Sequence, residues 1–465
     1  MNKQRVFKAR FACAIACLAV CALALFHFPA SSERSAEFPF KPNDRVAWIG
    51  SSSTRIGTWC RTLEFLLRTR HPELHLTFNR GTTGGGTFLT GVKNLPVWLN
   101  DFKPTYVLYN YGGNDAGAGA KGVAAFKLNM QKCAELAQQA NARVGFTTHQ
   151  SGDVRVTAPQ PFEARRLYAE EMLKFALEKE WPIYDTHHPL ETFQQNEQLE
   201  ISDFTINKDR IHLTDSAYVA WGFYLYERMN PPDAESVAEL TADGAVSAQR
   251  GCKISELTHA PGALEFVRED SVLPLLPPNP IPAGNSLKTV PQPAASPTAS
   301  VIGAALKDAK RDYLKPIVPG LNSVLANPAN QTVAANATAP ANAAGTPAVA
   351  PAPKQPPFKI PAAQVQYAAK HGQELPPRKF VPLEKYSRYM LKISGLESGD
   401  YQITCDGKAI GAASAKELSD GVNLNALLLD SKNPAPWADL AKSLWLGQRL
   451  DEIGKTKFKF KLEKQ

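Results

Sequence analysis

Asp209-Arg210-Ile211-His212 sets a carboxylate and an imidazole three positions apart, near enough for the acid to hold the ring once the chain turns. A ring held in this way is a general base. A serine hydroxyl is a poor nucleophile until such a base removes its proton during attack. Gly50-Ser51-Ser52-Ser53-Thr54 offers the hydroxyl. Asn79-Arg80-Gly81 and Gly112-Gly113-Asn114-Asp115 add glycines, where a backbone N–H can approach a ligand closely because no side chain intervenes, and an asparagine amide. The chemistry open to this set is attack on an ester carbonyl by way of a covalent acyl intermediate.

The elements around these residues can bring them together. Val46-Ala47-Trp48-Ile49 reads as a short buried strand, and Trp59, Leu63, Leu66 and Leu67 share one face of the helix after it. Leu74–Phe78, Tyr106–Tyr109, Val144–Phe146 and Pro182–Tyr184 read as four more strands. Helices follow with Val123, Phe126, Met130 and Cys133 at helical spacing, over Pro161–Glu180, and with Tyr218, Trp221, Leu225 and Met229 on one side. Strands alternating with helices imply an α/β fold with a parallel sheet covered on both faces. Ligands then bind beyond the carboxyl ends of the strands, where all four segments fall.

Together the four segments resemble the sequence blocks of the SGNH hydrolases, the GDSL esterase family. The resemblance covers residues 43–230 strongly and parts of 235–430 weakly. It implies a flavodoxin-like three-layer α/β/α sandwich over residues 41–231. It also implies Ser52 as nucleophile, His212 as base and Asp209 as the group that orients the base, with Ser52, Gly81 and Asn114 forming the oxyanion hole. Gly50 and Thr54 set the register that selects Ser52 over Ser51. One position departs from the family pattern: Ser51 stands where the family has an aspartate that helps fix the turn, and a serine there can hydrogen-bond locally but carries no charge. Asp185-Thr186-His187-His188 satisfies Asp-x-x-His as well. The pair at 209 and 212 is preferred because a short gap and a Tyr-containing helix follow it, as in the family. His188, just before Pro189, reads as a loop or substrate-groove residue. His149, at the end of the fourth strand, reads either as a substrate contact or as a hydrogen-bonded histidine. The simple structural readings are helix capping for Ser51–Thr54 and turn residues for Gly81 and Asn114; the four blocks in register favour function.

Composition limits the rest. Four basic residues (Lys3, Arg5, Lys8, Arg10) precede the apolar run Phe11–Phe26, and Pro29-Ala30-Ser31-Ser32 follows it. Residues 1–32 therefore read as an export signal or an N-terminal membrane anchor; the 16-residue run is short for a bilayer span, which favours cleavage. Cys21 after Leu18-Ala19-Val20 resembles a lipoprotein box, although Val20 is bulky for one. The chain carries +8; without residues 1–30 it holds 48 basic against 44 acidic side chains, +4, and no basic arm, so nucleic acid is not an expected partner. The expected partner is a small-molecule or polysaccharide ester outside the cytoplasm, with membrane or cell-envelope association through the N-terminus.

No acidic loop, cysteine cluster or H-E-x-x-H run points to a metal, and the expected chemistry needs neither metal nor cofactor. Glycines 84–86 lack the register of a nucleotide fingerprint. Cys60 and Cys133 read as packed apolar groups, and Cys252 and Cys405 as a candidate disulfide. Residues 274–377 hold 20 of the 36 prolines with long Ala, Asn and Thr runs and read as a disordered insertion, with Ala305–Tyr313 as a short helix inside it. The flanking segments, 235–273 and 378–465, carry strand and turn patterns over Gly262–Val267, Arg388–Ile393, Tyr401–Thr404 and Asp406-Gly407. By resemblance they form the two parts of one small accessory β module, while residues 416–450 read as helical or irregular. The expected function is hydrolysis of acetyl or other short acyl esters of carbohydrates. Acyl transfer to a sugar hydroxyl and a catalytically weak binding or envelope protein are the alternatives.

Overall fold

The structure, a computed structural model, describes residues 37–155, 157, 159–200, 204–277, 387–428, 435–453 and 456–465. The N-terminal signal or anchor and nearly all of the Pro/Ala-rich insertion lie outside the described residues.

The first half alternates strand and helix. In chain order the elements are β1 (Arg45–Gly50), α1 (Ser52–Ile56), α2 (Thr58–Arg70), β2 (Thr77–Thr82), α3 (Phe88–Phe102), β3 (Tyr106–Asn110) and α4 (Val123–Gln139), then β4 (Arg143–Thr147), α5 (Pro159–Glu178), β5 (Ile183–Tyr184), α6 (His187–Glu200) and α7 (Asp215–Arg228). The five strands form one sheet in the order β2-β1-β3-β4-β5, and all four pairings are parallel. This is the expected α/β sandwich.

Side-chain alternation along the central strands makes the two faces. Val46, Trp48, Tyr106 and Leu108 enter a core with Trp59, Leu63 and Trp221 from α2 and α7. Ala47, Ile49, Val107 and Tyr109 enter the other, with Phe88, Leu95, Met130 and Phe175 from α3, α4 and α5. The first core matters for chemistry because it docks α7 on α2. Trp59 and Trp221 stack with centroids 5.4 Å apart, and a Cβ on Gly222 would lie 2.5 Å from Thr62. That close approach brings the loop before α7 to the start of α1.

Two expectations shift. Leu74–Phe78 is not the second strand: Pro72–Leu74 form a single 3-10 turn, His75 takes a left-handed φ of 47°, and the strand starts at Thr77. His188 is not in a loop but in the first turn of α6, where the following Pro189 is tolerated because the first-turn N–H groups have no intrahelical partner.

The second half is β-rich. It comprises β6 (Ser236–Thr241), β7 (Val246–Arg250), β8 (Cys252–Ala260), β9 (Ala263–Asp270), β10 (Tyr389–Ser394), β11 (Asp400–Cys405), β12 (Lys408–Ser414), β13 (Val422–Asn423) and β14 (Lys457–Lys464). They form two sheets, β13-β10-β6-β7 and β12-β11-β14-β9-β8. Strands from both sides of the insertion pair with each other, β10 with β6 in parallel and β14 with β9 antiparallel. Arg268, fully buried, binds Asp270 at 3.0 Å, and its guanidinium lies 4.1 Å from the Tyr389 ring centroid.

The start of the proposed insertion is anchored. Leu275 is buried, and the Pro274 carbonyl accepts from Ser387 Oγ at 2.6 Å and from Asn425 Nδ2 at 3.1 Å. The candidate bridge does not form: none of Cys60, Cys133, Cys252 and Cys405 is in a disulfide. Cys252 lies on β8 and Cys405 on β11, with β14 and β9 between them, so the separation is about three strand spacings of ~4.8 Å each, too far for a disulfide. Cys60 and Cys133 are buried, and burial pushes both thiols above their ordinary range.

Candidate active site

Only Ser51 separates the end of β1 from the start of α1, so the chain reverses in one step. Gly50 permits it. A Cβ there would sit 2.1 Å from Thr54 Oγ1 and 2.7 Å from the Asn110 carbonyl oxygen. The inward side of the turn is fixed by Thr54 Oγ1 donating to Asn110 Oδ1 at 3.3 Å and by the Tyr218 hydroxyl donating to Ser53 Oγ at 3.3 Å. With Ser53 and Thr54 buried, Ser52 is left half-buried at the mouth of the crevice. Ser51 occupies the N-cap of α1, but its side chain makes no capping bond, so the bond a carboxylate would supply here is missing.

The loop before α7 is held by its carbonyls. Those of Arg210, Ile211 and His212 accept from Thr157 Oγ1 at 2.8 Å, Gln150 Nε2 at 3.0 Å and the Lys208 N–H at 2.8 Å. Inside the loop, Asp209 Oδ1 accepts the Ile211 and His212 backbone N–H groups, each at 2.7 Å. Its Oδ2 accepts the Nδ1–H of His212 at 2.9 Å. That leaves Nε2 unprotonated, and it accepts the Ser52 hydroxyl at 2.9 Å. Burial alone would raise the Asp209 pKa, but the His212 N–H and ring and the Ile211 N–H outweigh it and hold the carboxyl below its ordinary value. The side chains of His212 and Asp209 remain 26% and 52% exposed, so the pair opens to solvent on one side.

Asn114 lies in the loop after β3, and its Nδ2 donates to the Gly86 carbonyl at 2.9 Å. Its amide carries a second N–H. Asp115 ties this loop to the start of α3, accepting the Phe88 N–H on Oδ1 and the Gly112 N–H on Oδ2, each at 3.1 Å. Burial outweighs those two bonds and pushes the Asp115 carboxyl up to about 6.

Gly81 reaches the expected strand end, but its N–H does not face the crevice. The Thr77 N–H donates to the Asp44 carbonyl at 3.0 Å and the Thr83 N–H to the Gly50 carbonyl at 3.2 Å. A regular parallel ladder between those rungs commits the Gly81 N–H to the Trp48 carbonyl. The missing side chain at 81 serves packing instead, since a Cβ would lie 2.5 Å from Trp98 and 2.6 Å from Ile49. Three residues on, Gly84 is exposed in the loop after β2, and its Cβ position lies 3.4 Å from the Arg55 side chain on α1. Sequence reasoning missed this glycine by weighing glycines 84–86 only as a nucleotide loop.

His149 is buried, and its Nε2–H donates to the Arg165 carbonyl at 3.1 Å. Burial, helped by His187 and Arg165, holds it neutral, well below the ordinary histidine value. The rival pair also forms: His188 Nδ1 lies 2.7 Å from Asp185 Oδ2, and that bond raises the His188 pKa. Two Asp-x-x-His pairs thus share one geometry at Nδ1; the one at 209 and 212 has Ser52 at its far nitrogen. Among the described residues no cluster of His, Cys, Asp and Glu could hold a metal, and no helix is long and apolar enough to cross a membrane.

Residues 48–220 match the model of the GDSL-like Lipase/Acylhydrolase family, and the match runs from β1 into α7. This segment belongs to that family. The acylhydrolase domain and its β-rich partner are also similar to solved structures. A gut microbial diltiazem-metabolizing enzyme is 18% identical, with a TM-score of 0.60 over 89% of this chain and 78% of its own. At that identity the likeness is one of fold. An acetyl xylan esterase is 17% identical with a TM-score of 0.35, over 39% of this chain and 98% of its own. A catalytic mutant of an acetylxylan esterase from Geobacillus stearothermophilus is 14% identical with a TM-score of 0.35, over 42% and 97%. No curated protein matches the sequence.

Proposed function

We propose that the acylhydrolase domain is a serine esterase with Ser52 as its nucleophile. Supporting this reading is the unbroken relay from the Asp209 carboxylate through the His212 ring to the Ser52 hydroxyl, with both contacts at 2.9 Å. Ser52 Oγ attacks the ester carbonyl carbon while its proton passes to His212 Nε2. Asp209 stabilises the resulting imidazolium. The carbonyl oxygen becomes an oxyanion, held by the N–H of Ser52, the Asn114 amide and, in place of Gly81, the N–H of Gly84. Collapse expels the alcohol, which takes the proton from His212, and leaves the acyl group on Ser52. Water then attacks the acyl-enzyme as His212 removes its proton; the bond to Ser52 Oγ breaks, Ser52 takes that proton back from His212, and the acid departs.

The substrates we propose are short acyl esters on bulky alcohols such as carbohydrates. The half-exposed His212 and Asp209 leave room on one side of the reacting bond for a polymer-bound alcohol. The basic and apolar N-terminal stretch supports action outside the cytoplasm.

A short-chain nitrophenyl ester tests the reading. The wild-type protein should hydrolyse it, a fluorophosphonate should label Ser52, and Ser52→Ala should abolish both while melting at the wild-type temperature. Label on any other serine, or full turnover by Ser52→Ala, would refute it.

A further inference from the structure

Arg165 lies on α5 with its side chain turned into the protein; it is 7% exposed and forms no hydrogen bond or ion pair of its guanidinium among the described residues. Its Nη1 is wholly buried without a partner. An unpaired charge is costly to hold in such a place. Burial accordingly draws the guanidinium pKa below its ordinary value, with the Asp209 carboxylate opposing the shift.

The surroundings tie this charge to the loop that carries Asp209 and His212. A Cβ on Gly152 would lie 3.6 Å from Arg165 Nη1 and 3.5 Å from Thr157 Oγ1, the hydroxyl that donates to the Arg210 carbonyl beside Asp209. His149 donates to the Arg165 carbonyl, and its Nδ1 is 2.8 Å from where a Gly112 Cβ would stand. Arg165 is thus linked through Gly152 and Thr157 to the loop carrying Asp209 and His212, and through its carbonyl and His149 to the loop carrying Asn114. Ser151, the residue before Gly152, is a second orphan: its Oγ is buried without a hydrogen-bond partner among the described residues.

We propose that Arg165 binds a carboxylate carried by the ester substrate, which makes acidic esters the preferred substrates of this site. A guanidinium presents a planar fork of donors that matches a carboxylate two bonds at a time, and binding there would supply the counter-charge the folded protein lacks. The inference rests on the esterase reading and narrows it. The carboxylate belongs either to the acyl half, as in a dicarboxylic half-ester, or to the alcohol half, as in an acylated uronic acid.

Two matched pairs of esters distinguish these sources. They are nitrophenyl succinate against nitrophenyl acetate, and acetylated methyl galacturonate against acetylated methyl galactoside. In one pair the wild-type kcat/KM should favour the acid, and Arg165→Gln should collapse that ratio about tenfold or more, the scale of a charge-assisted bond. Arg165→Lys, which keeps the charge without the fork, should retain part of the preference. Melting should be unchanged or higher in Arg165→Gln, since an unpaired buried charge has been removed. Turnover with both ratios unaltered in Arg165→Gln, or a fall of the melting temperature by several degrees, would overturn the proposal. Inertness of the wild type toward all four esters, with calorimetry still showing succinate or galacturonate bound by it and not by Arg165→Gln, would instead sink the esterase reading and keep the anion site.

Discussion

Replacing Asp209 by asparagine should damage catalysis more than replacing it by alanine, although asparagine is the closer mimic. In the native loop one carboxylate oxygen accepts two backbone N–H groups, from Ile211 and His212, both at 2.7 Å. Those donors would hold the asparagine amide with its oxygen toward them and its NH2 toward His212 Nδ1. The ring must then accept at Nδ1 and carry its proton on Nε2, the atom that faces Ser52 at 2.9 Å. An Nε2 that already holds a proton cannot take one from the serine. In a triad whose carboxylate is buried, this change costs about 10⁴-fold. Asp209 is 52% exposed, so water shares in stabilising the imidazolium and the expected loss is smaller, about 10²–10³-fold in kcat/KM or roughly 3–4 kcal/mol. Alanine imposes no tautomer; water can orient the ring, and the loss should be about tenfold milder than in Asp209→Asn. The assay is turnover of a short nitrophenyl ester near pH 8, with thermal melts of both variants. Activity of Asp209→Asn within threefold of wild type would show that Asp209 does not orient the base. Lower activity in Asp209→Ala than in Asp209→Asn would show that the two backbone bonds, not the tautomer, are what the carboxylate contributes.

Gly81 at the end of β2 and Gly84 in the loop after it should separate stability from chemistry. Gly81→Ala drives a methyl into Trp98 and Ile49 and should cost about 1–3 kcal/mol, read as a lower melting temperature. Gly84→Pro removes an N–H from an exposed loop and should cost about 10²-fold in kcat with little change in melting; the opposite pattern would return the oxyanion role to Gly81. Asp115 predicts a pH dependence. Its carboxyl is raised from an ordinary 3.8 to about 6, so the folded state keeps a proton that the unfolded chain releases between those values. Stability from that proton is complete below about pH 4 and lost as pH rises through about 6, a change of roughly 3 kcal/mol over two units. Asp115→Asn cannot ionise, so wild-type unfolding free energy should fall relative to the variant between pH 4 and 7. Parallel curves would refute the assignment.

The parallel sheet was legible because Val46–Ile49, Tyr106–Tyr109 and Val144–Phe146 are short apolar runs, and a strand buried on both faces has no other signature. The site followed from the same fact, since residues at the carboxyl ends of parallel strands have one crevice to enter. What escaped the sequence was phase. His71-Pro72-Glu73-Leu74-His75-Leu76 has enough apolar character to look like the start of a strand, yet proline and a left-handed His75 turn it, and the three-residue slip moves the ladder under Gly81. A backbone donor depends on which way its N–H points, and that alternates from residue to residue along a strand. Pattern that locates a strand only within a few residues thus cannot say which glycine faces the ligand.

α3 was missed for a related reason: Pro96 stands inside it on the exposed side, although Thr87 caps the helix and Leu95 and Leu99 pack its buried face. The second half was harder still, because β14 sits between β9 and β11 and its partners lie far off in sequence on either side of the insertion. The two Asp-x-x-His pairs carry the sharpest lesson. Asp185–His188 and Asp209–His212 each form the acid-to-ring bond, so their local sequence is equally competent to build a base. Only the far ring nitrogen distinguishes them, and at His212 it meets Ser52, 160 residues away in sequence, because Gly222 and the Trp59–Trp221 stack seat α7 against α2. The Ser52–His212 contact is therefore specified by core packing as much as by motif, and loss of that stack should weaken it before it disturbs the Asp209–His212 bond.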